Sequence, residues 1–183
     1  CGQCLTDCPT GVNIPGMVIL AKEKLHEKRP YKLNEFILQR GKQVSTIAAL
    51  MPSVSNAALS IPLVRKLMHH TAGIDYRRTL PPFAEQKDRN HAADPGAGRK
   101  VVLWSGCAAQ FNDPEGELES CIEILKKLDY EVILPDWKCC NVAKLSYGNI
   151  KDSRDDIDYN VRVLLPYTKQ NIPILFTSAS CGY

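Results

Sequence analysis

Cys139 and Cys140 stand side by side, and this pair constrains the C-terminal half of the chain more than any other feature. Consecutive Cα atoms across a trans peptide lie about 3.8 Å apart. An unstrained disulfide spans roughly 4.4–6.8 Å, so the pair does not suit a structural bridge. Two neighbouring thiolates do suit a shared soft metal or cluster. The pair follows a strand-like stretch, Glu131-Val132-Ile133-Leu134-Pro135. Cys107 follows another, Lys100-Val101-Val102-Leu103-Trp104, and Cys181 a third, Ile172-Pro173-Ile174-Leu175-Phe176-Thr177. Helical patterns fill both gaps. Leu118, Cys121, Ile122, Leu125 and Leu128 share one face over residues 114–128, and Ile157, Val161, Leu164 and Leu165 recur over 153–169. Gly148 and Asn149 break the chain before that second helix. This alternation predicts a parallel βαβαβ sheet. The loops leaving the carboxyl ends of such strands share the edge where ligands sit, so Cys107, Cys139, Cys140 and Cys181 are expected to converge. Four buried, inert thiols are the competing reading. Cys121 lies on the apolar helix face and reads as a small core hydrophobe.

At the other end, Cys1-Gly2-Gln3-Cys4-Leu5-Thr6-Asp7-Cys8-Pro9 is C-x2-C-x3-C-P, the last three cysteines of the bacterial ferredoxin run. A structural zinc site and a mature lipoprotein Cys compete with that reading, but the second leaves Cys4 and Cys8 unexplained. The chain opens inside one cysteine motif and stops two residues after another, so a piece of a longer protein is expected.

Between these ends, Asn13-Ile14-Pro15 marks a helix start, with the helix running to about Lys28. Further helical patterns are expected from Leu33 to near Pro52 and from about Ser53 to His70, closing at Gly73. The polar, Pro- and Gly-rich stretch 76–99 reads as a linker. The domains are thus 1–75, a ferredoxin-type motif with a helical module, the 76–99 linker, and 100–183. Val44 to Val64 carries no charge but holds Pro52 and Pro62 and five Ser/Thr, too broken for a membrane span. A pair of buried core helices is the expectation there. The alternative, suggested by the basic flank Arg65, Lys66, His69 and His70, is a surface lying in a membrane interface. His69-His70 read as a cation pair at a helix C-terminus. Trp104 and Trp137, at strand ends, read as core or site wall.

The 183 residues carry eight cysteines and a net charge of +3, too weak to argue for nucleic acid. Clustered cysteines at this length favour metal in a reducing compartment over a secreted disulfide framework. No dinucleotide fingerprint follows a strand, so flavin or nicotinamide chemistry is expected on another subunit.

Taken together, C-x2-C-x3-C-P, a helical connector and C-x31-C-C-x40-C-G resemble the CCG-domain iron–sulfur proteins. That superfamily includes the iron–sulfur subunit of anaerobic glycerol-3-phosphate dehydrogenase, those of glycolate and lactate oxidation systems, and the CCG-bearing component of heterodisulfide reductase. The stretch Ser146-Tyr147-Gly148-Asn149, the helix with Asn160 and Leu164-Leu165-Pro166-Tyr167, and Thr177-Ser178-Ala179-Ser180-Cys181-Gly182 look most like the glycerol-3-phosphate group.

The resemblance implies an α/β fold, a parallel βαβαβ CCG domain preceded by the end of an α-helical ferredoxin-type module. It implies 4Fe–4S clusters bound by Cys1, Cys4 and Cys8 and, as the first CCG motif, by Cys107, Cys139, Cys140 and Cys181. The implied role is an electron-transfer subunit of anaerobic respiration. It would pass electrons from a flavoprotein dehydrogenase towards the quinone pool, in the cytoplasm or on the inner face of the cytoplasmic membrane. A heterodisulfide-reductase-like catalyst and a zinc-stapled interaction module are the alternatives. Where the family carries Gly after the cysteine pair, this sequence has Asn141, the commonest non-Gly type at positive φ.

Overall fold

The computed structural model describes residues 3–86 and 98–182. Strand β1 (Arg99–Trp104) is the centre of a three-stranded parallel sheet of order β2-β1-β3, flanked by β2 (Tyr130–Ile133) and β3 (Ile174–Phe176). Val101 opposes Val132, and Leu103 opposes Leu175. Val101 to Trp104 are all buried. An unbroken apolar run of this kind belongs to a strand covered on both faces.

Two crossovers cover those faces. The first holds a short α7 (Gly106–Phe111), a π-helical turn at Pro114–Leu118 and α8 (Glu119–Lys127). Leu118, Ile122 and Leu125 pack on Val101, Leu103 and Val132. The second holds α9 (Val142–Ser146), a 3-10 turn at Lys151–Ser153 and α10 (Arg154–Lys169), and a last turn, α11 (Ala179–Gly182), follows β3. On this side Trp104, Phe111 and Trp137 form a second cluster, with Leu164, Cys107 and Cys181 against it. The mixed α/β class and the parallel sheet therefore match the sequence expectation, with β1 starting one residue early at Arg99, β2 shifted to Tyr130–Ile133 and β3 shortened to Ile174–Phe176.

The N-terminal half is helical: α1 (Gln3–Thr6), α2 (Ile14–Lys28), α3 (Leu33–Leu38), α4 (Gly41–Ala48), α5 (Pro52–Ser60) and α6 (Pro62–Ala72). Asn13 caps α2 as expected, its Oδ1 accepting from the Gly16 N–H at 2.9 Å. The two long helices expected after it are each split. Gln39 and Arg40 interrupt the first, and Pro62 ends the second at Ser60 because its ring cannot continue the hydrogen-bond ladder. Gly73 closes α6 with φ 65°.

The expectation of buried helices over Val44–Val64 is overturned. Leu50 is 75% exposed, Leu63 76% and Ile47 70%, and of this stretch only Ala49 is buried. Ala49, at the C-terminal cap of α4, is the residue of this stretch that packs on Trp104, Phe111 and Trp137, and the larger side chains stay outside.

The helical module docks on the α/β domain at defined points. Ala49 joins the Trp104–Phe111–Trp137 cluster. Lys22 Nζ donates to the Ser146 carbonyl at 2.6 Å. Asn149 Nδ2 donates to Oε1 of the buried Gln39 at 2.7 Å. Gly148, at φ 75°, lets α2 approach, since a Cβ there would collide with the backbone of Lys22 and Glu23.

The described part of the expected linker is not a loose tether. Ala84 N–H donates to the Phe111 carbonyl (2.8 Å), Asn112 Nδ2 to the Pro82 carbonyl (2.9 Å), and Asn56 brackets Phe83 through two bonds of 2.8 Å. Residues 87–97 of that linker lie outside the described residues. Among the described residues no helix is long and apolar enough to cross a membrane.

Candidate metal centre

With strand order β2-β1-β3, the first crossover runs from β1 to one side and the second passes back over β1 to its other side, and such a switch point opens a crevice at the strands' carboxyl ends. Cys107 sits in the turn after β1, Cys139 and Cys140 beyond β2, and Cys181 just after β3. Their side chains lie close enough to perturb one another's ionisation, Cys139 beside Cys107 and Cys140, and Cys140 beside Cys181, and none is in a disulfide. The turn after β1 is tight against the site: a Cβ on Gly106 (φ 67°) would lie 3.3 Å from Cys181 Sγ.

Cys139 is pulled down to about 2, first by Cys107 and then by Cys140, with the Asn141 N–H and the Lys144 ammonium acting the same way against the burial that opposes ionisation. Cys181 falls to about 6, mainly through Cys140, helped by Ser178 and the Cys107 N–H. Cys107 and Cys140 move upward, first through Cys139, and burial adds to this. Four neighbouring cysteines in one crevice form a soft donor set. Among the described residues no group of three or more His, Cys, Asp or Glu side chains is placed to hold a metal ion.

The loop that carries the pair is rigidly built. Asn141 adopts φ 62° and ψ 14°, the left-handed conformation that glycine reaches most easily, and it is fully buried. Its Nδ2 donates to the Cys139 carbonyl at 2.9 Å, which a glycine has no side chain to do. The buried Asn160 of α10 holds the same loop, with Oδ1 accepting from the Lys138 N–H (2.8 Å) and Nδ2 donating to the carbonyls of Lys138 (3.1 Å) and Cys139 (3.2 Å).

Behind the loop, Trp137 Nε1 donates to Ser105 Oγ (3.1 Å), and its ring lies 5.7 Å from that of Trp104. Thr177 Oγ1 donates to the Ser105 carbonyl at 2.5 Å, tying the end of β3 to the end of β1. The two tryptophans are thus core and site wall at once. Asn160 stands in one of the stretches that carry the sequence resemblance, but its bonds to the Cys139 loop are visible only in the fold.

Cys121 packs half-buried against the α8 cluster on the opposite face and takes no part in this set. Cys121→Ala is expected to cost about 1 kcal/mol of unfolding free energy as a small cavity, with metal binding unchanged, as urea denaturation and metal analysis check. Cys4 and Cys8 are placed outside this set as well. Cys4 is exposed on α1, and Cys8 Sγ contacts Thr10 Oγ1 at 3.2 Å, a contact that lowers its pKa. Cys1 lies outside the described residues. His69 and His70 end α6 exposed, with His69 edge-on to Tyr76.

The fold and site define a mixed α/β protein with a three-strand open parallel sheet and a four-cysteine crevice at its carboxyl edge. No family model matches the chain, and no solved structure matches it.

Proposed function

We propose that the chain is an iron–sulfur electron-transfer subunit of the CCG-domain type, carrying electrons from a flavoprotein dehydrogenase towards the quinone pool. The observation that supports it is the convergence of Cys107, Cys139, Cys140 and Cys181 at the carboxyl edge of the sheet, close enough to perturb one another's ionisation. These four residues would hold one cluster, and Cys1, Cys4 and Cys8 would contribute to another. A bound cluster supplies one-electron storage at a potential set by its charge and surroundings. The chain's own part is to supply thiolates, to aim the N–H groups of Cys107, Asn141 and Val142 at sulfur, and to shield the crevice with Trp104 and Trp137. Anaerobic reconstitution is expected to give iron and acid-labile sulfide in equal amounts, with zinc unable to replace them in electron transfer. Zinc without sulfide in the protein as isolated from anaerobic cells would reverse the reading.

A catalytic reading has one observation of its own. An apolar trough of about 450 Å³ between α10 and β3 is lined by Leu164, Val161 and Phe176 and reaches Cys140 and Cys181. Substrate-dependent turnover without a flavoprotein favours that reading, as for a heterodisulfide-reductase-like enzyme.

The exposed Ile47, Leu50, Met51, Val54, Leu63 and Leu67, beside Arg65 and Lys66, support peripheral contact with an anionic membrane. Folded Leu50→Glu and Leu63→Glu variants should float with anionic liposomes far less than the parent. Equal flotation would remove the membrane from the account.

A further inference from the structure

We propose that the trough between α10 and β3 binds a neutral, flat, apolar carbonyl compound of the quinone or aryl-ketone class, whose oxygen accepts from the indole N–H of Trp104. The site stands on the trough and the indole alone, whatever the role of the cysteines.

The trough exists because α10 does not close on the sheet. A helix with an apolar stripe normally buries that stripe against its neighbour. Here the one buried residue of the sixteen in α10 is the polar Asn160. Val161 and Leu165 stay exposed on the helix, and so does Phe176 on the strand. These three line, with Leu164 and Ile174, an open space of about 450 Å³. Small-molecule sites span about 300–1,000 Å³.

The lining selects the kind of ligand. No Asp, Glu, Lys, Arg or His lines the trough, so an ion would lose its hydration there without a partner. The rings of Trp104 and Phe176 stand 5.9 Å apart at one wall, a surface that suits a third flat ring. The other nitrogen and oxygen donors of the wall are taken. Asn160 Nδ2 donates to the carbonyls of Lys138 and Cys139, and Thr168 Oγ1 to that of Leu165. Trp104 Nε1 differs, being buried without a hydrogen-bond partner. The neighbouring indole, Trp137, has its partner in Ser105. Buried N–H groups are nearly always paired, and leaving one unpaired is costly. A neutral ligand that carries a carbonyl oxygen into this apolar space supplies the missing acceptor.

The test uses the full chain and two probes of one shape. 2,3-Dimethyl-1,4-naphthoquinone carries the carbonyls, and its methyl groups leave no open ring carbon beside them for a cysteine thiol to add to. 2,3-Dimethylnaphthalene lacks the carbonyls. Trp104→Phe keeps an aromatic ring and removes the N–H. In equilibrium dialysis it should weaken quinone binding about tenfold, the scale of one hydrogen bond, and leave the hydrocarbon nearly unchanged. Val161→Glu, at an exposed position of the wall, should weaken both probes. In the parent, one of the two tryptophan indole 1H–15N signals should move downfield with the quinone only, a readout that needs no variant to fold. A quinone that does not bind, equal loss of both probes in Trp104→Phe, indifference of both to Val161→Glu, or an unmoved indole signal overturns the site.

Discussion

If the proposed iron–sulfur role holds, replacing either member of the adjacent pair, Cys139→Ala or Cys140→Ala, is expected to abolish electron transfer from a flavoprotein donor while the α/β domain stays folded. Cys139 lies beside Cys107 and Cys140, and Cys140 beside Cys181, so each loss removes a different neighbour from the set. Neither side chain belongs to the buried clusters on the two faces of the sheet. The loop backbone is held independently by Asn141 and Asn160, which bond carbonyls and an N–H rather than sulfur. Far-ultraviolet circular dichroism should therefore match the parent, with reduction of the chain by the proposed flavoprotein donor lost. Retained transfer in both variants would mean that electrons do not pass this site.

The second large effect is expected at Trp137. Trp137→Ala should cost about 3–5 kcal/mol, the range for emptying a large aromatic from a packed site. The ring fills the space between Trp104, Phe111 and Ala49, so its removal opens a cavity at the junction of the two halves. It also leaves the buried Ser105 without its indole donor and takes away the surface on which Lys42 rests. The measurement is the urea midpoint at constant slope, with the loss shared by probes in both halves. A loss below about 1 kcal/mol would show that the junction does not depend on this ring.

How much of the molecule is legible in its sequence differs along the chain. The three strands and two crossovers are legible because Val101–Trp104 and its partners are apolar on both faces, and because each crossover helix repeats its apolar side at the helical period. The convergence of Cys107, Cys139, Cys140 and Cys181 follows from that topology, since parallel strands deliver their loops to one edge.

The helical module is less legible. Its uncharged stretch reads as core by composition, yet only Ala49 of it packs on Trp104, Phe111 and Trp137, and Leu50 and Leu63 stay exposed. Composition reports how apolar a stretch is and not what lies opposite it. The contacts that dock the module, such as Gln39 with Asn149 and Lys42 with Trp137, join residues about a hundred positions apart and leave no local signature. Asn141 is the intermediate case. Its tolerance of positive φ is foreseeable from residue type, whereas its bond to the Cys139 carbonyl is visible only in the fold.

The central claim is that the four cysteines of the α/β domain form a cluster site by themselves. Its most direct test is iron, acid-labile sulfide and electron paramagnetic resonance of the full chain with Cys1, Cys4 and Cys8 all changed to Ser. The account predicts that iron and sulfide remain bound and give a signal on reduction or oxidation, and that a further Cys139→Ala removes them. A triple-Ser chain that holds no iron, or one whose iron survives Cys139→Ala, would contradict it.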